Sequence, residues 1–351
     1  MKPYGILFLV LAVLSGCAAI ENAAAMSPVA FSHLPGFAND QKDEALAAFL
    51  QSCNGAPPVA NASAPFTPGA WKNACAAAKR VPLGDKEAAE RFFTSYFRPY
   101  RVQSEEAHYT GYYVPVLQAS LTRGGAYRYP AYAMPPEISA SPSASYYDRA
   151  AIDGGALAGR GLELVWCNDP VMLFFAHVQG SATVQLPDGT LARLAFAGKN
   201  GREYHAIGRT LVESGALTPE EVSLHTIRDW LYAHPEEAAQ VMQTNPSYIF
   251  FTLEKKTGAV RGAHGTPLTP GRSLAVDAAY IPLGLPLYIS TQLQGAPYNR
   301  IVIAADTGSA IKGAARGDIF FGYGKQAEDA AGTMNAGGEL YLLLPKDVSH
   351  E

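Results

Sequence analysis

The sequence predicts a mainly β fold with some α-helix, divided over roughly two domains. The chain has 351 residues, and its 33 Gly, 25 Pro and 19 Tyr, with 17% charged residues, are typical of a loop-rich and strand-rich protein. Its last hundred residues contain short apolar runs separated by Gly and Pro turns. Such a series favours a small barrel or sandwich.

Helices with one apolar face are predicted before the β-rich part and again near the middle of the chain. Asp85 is the predicted N-cap of the third helix, and Thr218 with Glu221 forms a capping-box pattern. The predicted helices are 39–53, 69–79, 85–97, 204–214, 218–233 and 235–243.

Strands are predicted from Tyr109 onward. Residues 122–160, rich in Tyr, Pro, Ser and Gly, are typical of loop and irregular strand. Residues 171–197 predict two strands in a hairpin, with its turn at 186–190. The later predicted strands are 248–253, 274–276, 285–290, 301–305, 319–321 and 340–344.

The start of the chain predicts export rather than fold. Lys2 precedes about eleven mostly apolar residues, too few to span a bilayer. They lead into small residues and then Cys17, the pattern of a bacterial lipoprotein signal. Residues 1–16 are therefore the predicted signal peptide and Cys17 the predicted lipidation site. The alternative is an ordinary signal peptide with an incidental cysteine.

Ala18, rather than Asp, follows the predicted lipidation site, which predicts sorting to the periplasmic face of the outer membrane. Residues 17–38 form the predicted tether. In this oxidising compartment Cys53 and Cys75 could pair. Cys167 is then predicted to be a buried thiol rather than a nucleophile, because no activating signature surrounds it.

Several function classes are disfavoured by composition and motif. The net charge of −4 argues against an electrostatic nucleic-acid binder, which needs a basic face. The eight histidines are scattered, so no metal site and no cofactor are predicted. The remaining possibility is carboxylate-driven acid and base chemistry on a polar, neutral substrate such as a sugar chain.

Three aspartates follow or adjoin apolar runs, namely Asp277, Asp306 and Asp318. Poor solvation of such a carboxyl group favours its protonated form, which a general acid needs. The alternative is that they are turn residues at strand ends. The stretch 306–309 also copies the aspartic-protease signature, but no second copy is present, so a protease would need a homodimer.

From about residue 85 to 345 the sequence resembles the membrane-bound lytic murein transglycosylase A family. The matching stretches follow the family's order, and the family's own Asp-x-Gly at the place of Asp306-Thr-Gly308 removes the protease interpretation. They are Arg98-Pro-Tyr-Arg101, Thr110-Gly-Tyr-Tyr-Val-Pro115, His177-Val-Gln-Gly-Ser181, Ala197-Gly-Lys-Asn-Gly201, Asn245-Pro-Ser-Tyr-Ile-Phe-Phe251, Pro267-Leu-Thr-Pro-Gly-Arg-Ser273, Ile281-Pro-Leu-Gly284, Ala310-Ile-Lys-Gly313 and Arg316-Gly-Asp-Ile-Phe-Phe-Gly322.

The resemblance implies a double-psi β-barrel domain with N-terminal helices, from 39–122 and 248–346. A second β-rich domain, 123–247, is inserted into it, with a groove between the two. It also implies cleavage of the β-1,4 bond between N-acetylmuramic acid and N-acetylglucosamine without water, which leaves a 1,6-anhydromuramyl end. The implied partners are peptidoglycan glycan strands, the outer membrane through the lipid anchor, and candidate cell-wall synthases, with no nucleic acid.

By motif match, Asp318 is the implied general acid and then base, Asp306 its orienting neighbour and Asp277 a supporting residue. The implied substrate-binding residues are Tyr112, Gln179, Ser181, Lys199 and Tyr204. Two alternatives stay open at this point. One is a non-catalytic peptidoglycan-binding lipoprotein, and the other is a hydrolase of the same bond, which needs a second, water-activating carboxylate.

Overall fold

The computed structural model describes residues 25–103, 107–140, 146–255 and 258–347, so the predicted lipidation site Cys17 lies outside the described residues. The helices are α1 (Lys42–Ser52), α2 (Pro68–Ala78), α3 (Lys86–Tyr96), α4 (Pro136–Ala140), α5 (Arg149–Ala151), α6 (Pro170–Gln179), α7 (Ile207–Glu213), α8 (Leu224–Ala233), α9 (Pro235–Gln243) and α10 (Gly324–Thr333). The strands are β1 (Met26–Pro28), β2 (Phe97–Val102), β3 (Ala107–Val114), β4 (Val116–Ser120), β5 (Tyr129–Tyr132), β6 (Glu163–Cys167), β7 (Ala182–Gln185), β8 (Leu191–Lys199), β9 (Ile249–Glu254), β10 (Ser273–Val276), β11 (Pro286–Leu293), β12 (Ala296–Asp306), β13 (Arg316–Tyr323) and β14 (Asn335–Pro345).

Six strands close into a barrel in the order β14, β11, β12, β10, β13 and β3. The ring closes because β3 pairs with β13 on one side and with the start of β14 on the other. Two pairings are parallel, β10 with β12 and β13 with β3, and the other four are antiparallel. A closed barrel leaves none of these strands with an unpaired edge.

The N-terminal helices cover one side of the barrel with an aromatic cluster. The ring of Phe49 in α1 contacts Trp71 of α2 and three Phe rings from α3 and β2, at centroid distances of 5.2 to 6.2 Å. All five rings are buried. Aromatic pairs of this kind contribute roughly 0.5–1.5 kcal/mol each beyond the area they bury. The same core includes apolar side chains of the barrel strands, so α1 to α3 pack on the barrel.

The second domain is a six-stranded sheet in the order β5, β6, β4, β7, β8 and β9. This sheet and the closed barrel confirm the predicted fold class. The predicted boundaries are displaced, however, since β4 and β9 both pair within the second sheet. The inserted sheet therefore begins at Val116 rather than at 123 and ends at Glu254 rather than at 247.

Two predicted elements differ from the structure because capping residues decide where their helices begin and end. Residues 170–179 form helix α6 instead of a strand, since Asp169 accepts hydrogen bonds from the N–H groups of Val171 and Met172, and Pro170 takes the first helical position. The hairpin is confined to β7 and β8.

The helix predicted from Thr218 is a single turn that ends at Glu221. A second cap then starts α8, in which Ser223 Oγ accepts a hydrogen bond from the N–H of Thr226 at 3.1 Å. Two consecutive caps split the predicted element, because each cap turns the chain into an extended conformation before its helix.

The described part of the predicted tether is folded. Met26 to Pro28 form β1, which pairs with β2 at the edge of the barrel strands. Leu34 and Phe37 are buried in the core that the helices form with the barrel. Burial of two large apolar side chains contributes on the order of 3–6 kcal/mol, so the tether prediction of 17–38 is wrong from residue 26 onward.

Two cross-links hold the helical layer. Cys53 and Cys75 form a disulfide between α1 and α2. Arg272, which is 2% exposed, donates to Asp40 at 2.7 Å, to Glu44 at 3.0 Å and to the carbonyl of Ile301 at 2.9 Å. Every group in this buried ion pair is hydrogen-bonded, the condition under which a buried pair is tolerated.

Replacement of both Cys53 and Cys75 by Ala is expected to lower the free energy of unfolding by about 3 kcal/mol, because the bond closes a loop of 22 residues and restricts the unfolded chain. Urea unfolding followed by circular dichroism measures this loss. Reductant should destabilise the wild type by a similar amount and leave the double variant unaffected. Equal stability of the variant and the oxidised wild type would contradict the expectation.

Candidate active site

The pairing of β10 with both of its neighbours brings two of the predicted aspartates together. Ala275 of β10 lies opposite Asp306 in β12 and opposite Asp318 in β13. Residues opposite one another in adjacent strands point to the same face of a sheet. The two carboxylates therefore share a face, with their Cα atoms two strand spacings, or about 10 Å, apart.

Asp318 is partly buried and has a polar partner on the neighbouring strand. Thr110 of β3 donates its hydroxyl to Asp318 Oδ1 at 2.7 Å, and Arg316 donates to the same hydroxyl at 2.7 Å. Burial raises the pKa of Asp318 to about 6, the Thr110 hydrogen bond and the Arg316 charge lower it, and the Asp306 charge raises it. Asp318 can therefore hold or release a proton near neutral pH.

Asp306 ends β12, where its carboxylate is held by three donors. The N–H groups of Ala263 and Thr307 both donate to Oδ1 at 2.9 Å, and the Tyr112 hydroxyl donates to Oδ2 at 3.0 Å. Burial raises the pKa of Asp306, and the three hydrogen bonds lower it in opposition. The donors fix the position of this carboxylate beside Asp318.

Asp277 follows β10 and has a different environment. Its Oδ1 accepts from the N–H of Ala279 at 3.1 Å, and its Oδ2 accepts from the N–H of Gly313 at 2.9 Å. Both partners are backbone groups of loops, as in the turn-residue alternative. Gly313 belongs to the loop that joins β12 to β13, so Asp277 ties that loop to the end of β10.

A cavity of about 820 Å³ lies between the barrel and the inserted domain. Asp277 and Asp306 line it, whereas Asp318 does not. Phe320 does line it, and residues two apart in a strand point to the same face. Asp318 is therefore on the same face of β13 as Phe320, two residues before it in the strand and next to the cavity lining.

The electrostatic effect of Asp318 reaches the groove. Tyr204 lines the cavity, and burial together with the negative charge of Asp318 raises the pKa of its hydroxyl. A group that is placed in the groove next to Tyr204 is therefore within the field of this carboxyl.

All five predicted substrate-binding residues line the same cavity. They are Tyr112, Gln179, Ser181, Lys199 and Tyr204. Two of them already have a partner in the protein. The Tyr112 hydroxyl donates to Asp306, and Gln179 Oε1 accepts from the N–H of Tyr113 at 3.0 Å. Their contact with a ligand stays a prediction. The groups available for such a contact are the ring of Tyr112 and the amide N–H₂ of Gln179.

Sequence reasoning missed a buried polar group in the wall of the groove. Arg149, 3% exposed, donates to the carbonyl groups of Asn245 and Ser247 at 3.1 and 2.7 Å, and its Nη1 lies 3.0 Å from His177 Nδ1. All four residues line the cavity. Asn245 and Ser247 lie in a stretch that carries the family resemblance, whereas Arg149 falls within 122–160, where composition gives no signal for a buried cation.

His177 is held as a neutral ring. Burial and then the charge of Arg149 lower its pKa well below the ordinary value. Because a guanidinium can only donate, Nδ1 accepts from Arg149 and the proton lies on Nε2. Cys167 is buried as predicted, and burial raises the pKa of its thiol to about 12. Within the described ranges, no group of three or more His, Cys, Asp or Glu is arranged to hold a metal ion.

The barrel, the inserted sheet and the carboxylates beside the groove define a two-domain protein with a pair of aspartates at the groove between its domains. Two family models match the chain in this arrangement. The MltA specific insert domain matches residues 108–252, and the 3D domain matches residues 272–344. Together they cover the inserted sheet and most of the barrel.

Known proteins agree with these matches. A crystal structure of a membrane-bound lytic murein transglycosylase from Agrobacterium tumefaciens is 36% identical, with a TM-score of 0.82 over 92% of this chain and 98% of that one. The structure of E. coli MltA with bound chitohexaose is 28% identical, with a TM-score of 0.73 over 92% of each chain. Membrane-bound lytic murein transglycosylase A of Escherichia coli K12 is 37% identical over 244 residues.

The alignment with the K12 protein covers 67% of this chain and 65% of that protein's length. With the structural match over nearly the whole of the Agrobacterium protein, it shows that the chain belongs to the membrane-bound lytic murein transglycosylase A family. None of the helices in the described segments has the length and apolar character needed to cross a membrane.

The Asp318→Asn variant is expected to melt at a higher temperature than the wild type at about pH 7.5. Above about pH 6 the folded wild type holds an ionised, partly buried carboxylate, which lowers its free energy of unfolding. This loss of stability disappears as the pH falls from about 6, the pKa in the folded state, toward 3.8, the ordinary pKa. Differential scanning calorimetry at about pH 4.5 and 7.5 tests the sign, since the gain should shrink at the lower pH.

The matched control for this measurement is Asp329→Asn in α10, where Lys325 lowers the pKa of a half-buried carboxyl group. Removal of that charge should give no stability gain at either pH. A gain from Asp318→Asn that is the same at both pH values would contradict the raised pKa.

Proposed function

We propose that this protein is a peptidoglycan lytic transglycosylase. It cleaves the β-1,4 bond between N-acetylmuramic acid and N-acetylglucosamine without water and leaves a 1,6-anhydromuramyl product. The observation that carries the proposal is Asp318, a partly buried carboxyl with a pKa of about 6 beside an interdomain groove. Membership of the family and the sugar chain bound by E. coli MltA support it.

The first step uses Asp318 as a general acid. Burial raises the pKa of this carboxyl group to about 6, so a much larger fraction of it is protonated at near-neutral pH than for an ordinary Asp. Its proton passes to the glycosidic oxygen as the bond from that oxygen to C1 of the muramic acid breaks. One such acid typically supplies about 10²–10⁴ in rate, and the rest comes from holding the sugar in place.

The second step uses the same group as a base. The 6-hydroxyl of the muramic acid attacks C1, and its proton passes to the Asp318 carboxylate, which restores the starting state. Ordinary glycosidases need a second carboxyl group for water or for attack on carbon, and an intramolecular hydroxyl makes that group unnecessary. Asp306, fixed by three hydrogen bonds, serves as a nearby negative charge that favours the protonated form of Asp318.

The polar contacts of Asp318 suit this double role. Thr110, oriented by Arg316, stabilises the carboxylate that the first step creates. Burial and Asp306 oppose that stabilisation, so the pKa stays near neutrality instead of at an extreme. A general acid that must also act as a base works best with such an intermediate pKa.

The proposed location is the periplasmic face of the outer membrane, with a lipid on Cys17 and glycan strands as the substrate. Support comes from the lipoprotein pattern at residues 14–17 and from relatives that are named membrane-bound. Cell-wall synthases are the proposed protein partners on the basis of family resemblance alone.

Replacement of Asp318 by Asn should abolish cleavage of purified peptidoglycan sacculi while the fold is kept, because Asn cannot donate a proton to the leaving oxygen. Mass spectrometry of the soluble products measures this. The wild type should give anhydromuramyl products, one water lighter than those of a hydrolase. Asp329→Asn, outside the cavity lining, is the control and should cleave normally.

Three results would count against the proposal. Full activity of Asp318→Asn would remove Asp318 as the acid. Hydrated products from the wild type would identify a hydrolase. Binding without cleavage by the wild type would identify a glycan-binding lipoprotein.

The rate of cleavage should fall as the pH rises through about 6, because the acid must be protonated before the first step. Thr110→Val removes a hydrogen bond that lowers this pKa, so the fall should move to higher pH. Initial rates on sacculi between about pH 4.5 and 8.5 show the shift. A profile that stays in place or moves to lower pH in the variant would refute the role assigned to Thr110.

A further inference from the structure

The charge in the groove differs in sign from that of the whole chain, whose net charge is −4. Five basic residues line the cavity, which are Arg149, Arg193, Lys199, Arg261 and Lys312. Three acidic residues line it, which are Glu254, Asp277 and Asp306. A cleft with an excess of one sign raises the local concentration of ligands with the opposite charge.

Part of this charge is already compensated within the protein. Arg193 forms an ion pair with Glu254. Arg261 donates to the carbonyl group of Gly265 at 2.7 Å, which fixes its position but leaves its charge. The surplus positive charge therefore rests on four cations that have no ion pair among the described residues, namely Arg149, Lys199, Arg261 and Lys312.

Arg149 is a buried cation without an adjacent carboxylate in the described part of the chain. Its hydrogen-bond partners are two carbonyl groups and the neutral ring of His177. Asp153 acts on it electrostatically, without an ion pair between the two side chains. A buried charge without a counterion is costly, and an anion in the ligand would reduce that cost.

Lys199 lies on the same wall as Arg149. It is opposite Ile249 at the start of β9, two residues after Ser247, whose carbonyl accepts from Arg149. Lys312 lies on the facing wall, in the loop between β12 and β13. Both lysines are exposed, and the ammonium group of neither has an ion pair or hydrogen bond with another described residue.

We infer that the groove recognises a carboxylate carried by the muramic acid, through Lys199 backed by Arg149 on one wall and Lys312 on the other. This inference rests on the proposed function. The carboxylate belongs either to the lactyl group of the sugar or to its peptide stem. Unpaired ammonium groups near a fixed guanidinium bind carboxylates through charge-assisted hydrogen bonds. A chain of N-acetylglucosamine alone lacks this feature.

The test compares three ligands. Chitohexaose carries no carboxylate, glycan strands stripped of peptides carry the lactyl carboxylate, and intact strands carry stem carboxylates. Binding is measured by calorimetry on the Asp318→Asn protein, which prevents turnover. Lys199→Gln and Lys312→Gln are introduced singly and together. Lys72→Gln, on the exposed face of α2, makes the same charge change away from the groove and is the control.

The double variant should bind the carboxylate-bearing strands about fivefold to tenfold more weakly and bind chitohexaose as before. Added salt should weaken the binding of those strands by the wild-type groove in the same selective way. A loss on stripped strands identifies the lactyl carboxylate, and a loss confined to intact strands identifies the stem.

An equal loss on all three ligands, or no loss on any, would overturn the inference. That failure is separate from a failure of the proposed function. If the double variant still prefers carboxylate-bearing strands to chitohexaose while the wild type cleaves sacculi, only the carboxylate site is refuted. A wild type that binds strands selectively and releases no anhydro product refutes the cleavage reaction alone.

Discussion

The site depends on one constraint, the backbone pairing of the four-residue strand β10 with β12 on one side and β13 on the other. All four residues of β10 are buried, so the strand cannot shift without exposing apolar side chains or losing hydrogen bonds on both sides. A slip of one residue would turn each side chain to the opposite face. This pairing therefore fixes Asp306 and Asp318 on one face at one level of the barrel.

The chemistry of Asp318 follows from a balance between burial and hydrogen bonding. The barrel that holds the strands also excludes water from the carboxyl group, which raises its pKa. The hydroxyl of Thr110 and the charge of Arg316 act in the opposite direction and keep the shift moderate. Thr110 is in β3 and Arg316 is in β13, and these two strands pair in parallel with Thr110 opposite Asp318. The strand pairing that buries Asp318 in the barrel therefore also places its hydrogen-bond donor.

Local signals were sufficient to predict part of this arrangement from the sequence. Asp306 and Asp318 adjoin apolar runs, Asp85 caps its helix, and Cys53 pairs with Cys75. The groove and the inserted domain came from the resemblance to a family, because no local pattern encodes how two domains face each other.

What the sequence did not predict depends on contacts between distant segments. Thr110 meets Asp318 across 208 positions, and Arg149 meets Ser247 across 98. Thr110 lies in a stretch that carries the family resemblance, but nothing in that stretch marks it as the partner of Asp318, and no neighbour of Arg149 in sequence marks that residue as functional. Helix α6, which follows Asp169, is predicted as a strand because its run of apolar residues is compatible with helical and with strand periodicity. Only the Asp169 cap distinguishes the two structures.

The folding of residues 26–28 onto the barrel has a consequence for the reach of the protein. With the lipid on Cys17, as proposed, nine residue steps separate the anchor from the first strand. Fully extended chain spans at most about 3.3–3.6 Å per residue, so the edge of the barrel stays within about 30 Å of the bilayer surface. The groove would then work on the layer of cell wall that faces the membrane, and its distance from the lipid would set which strands it meets.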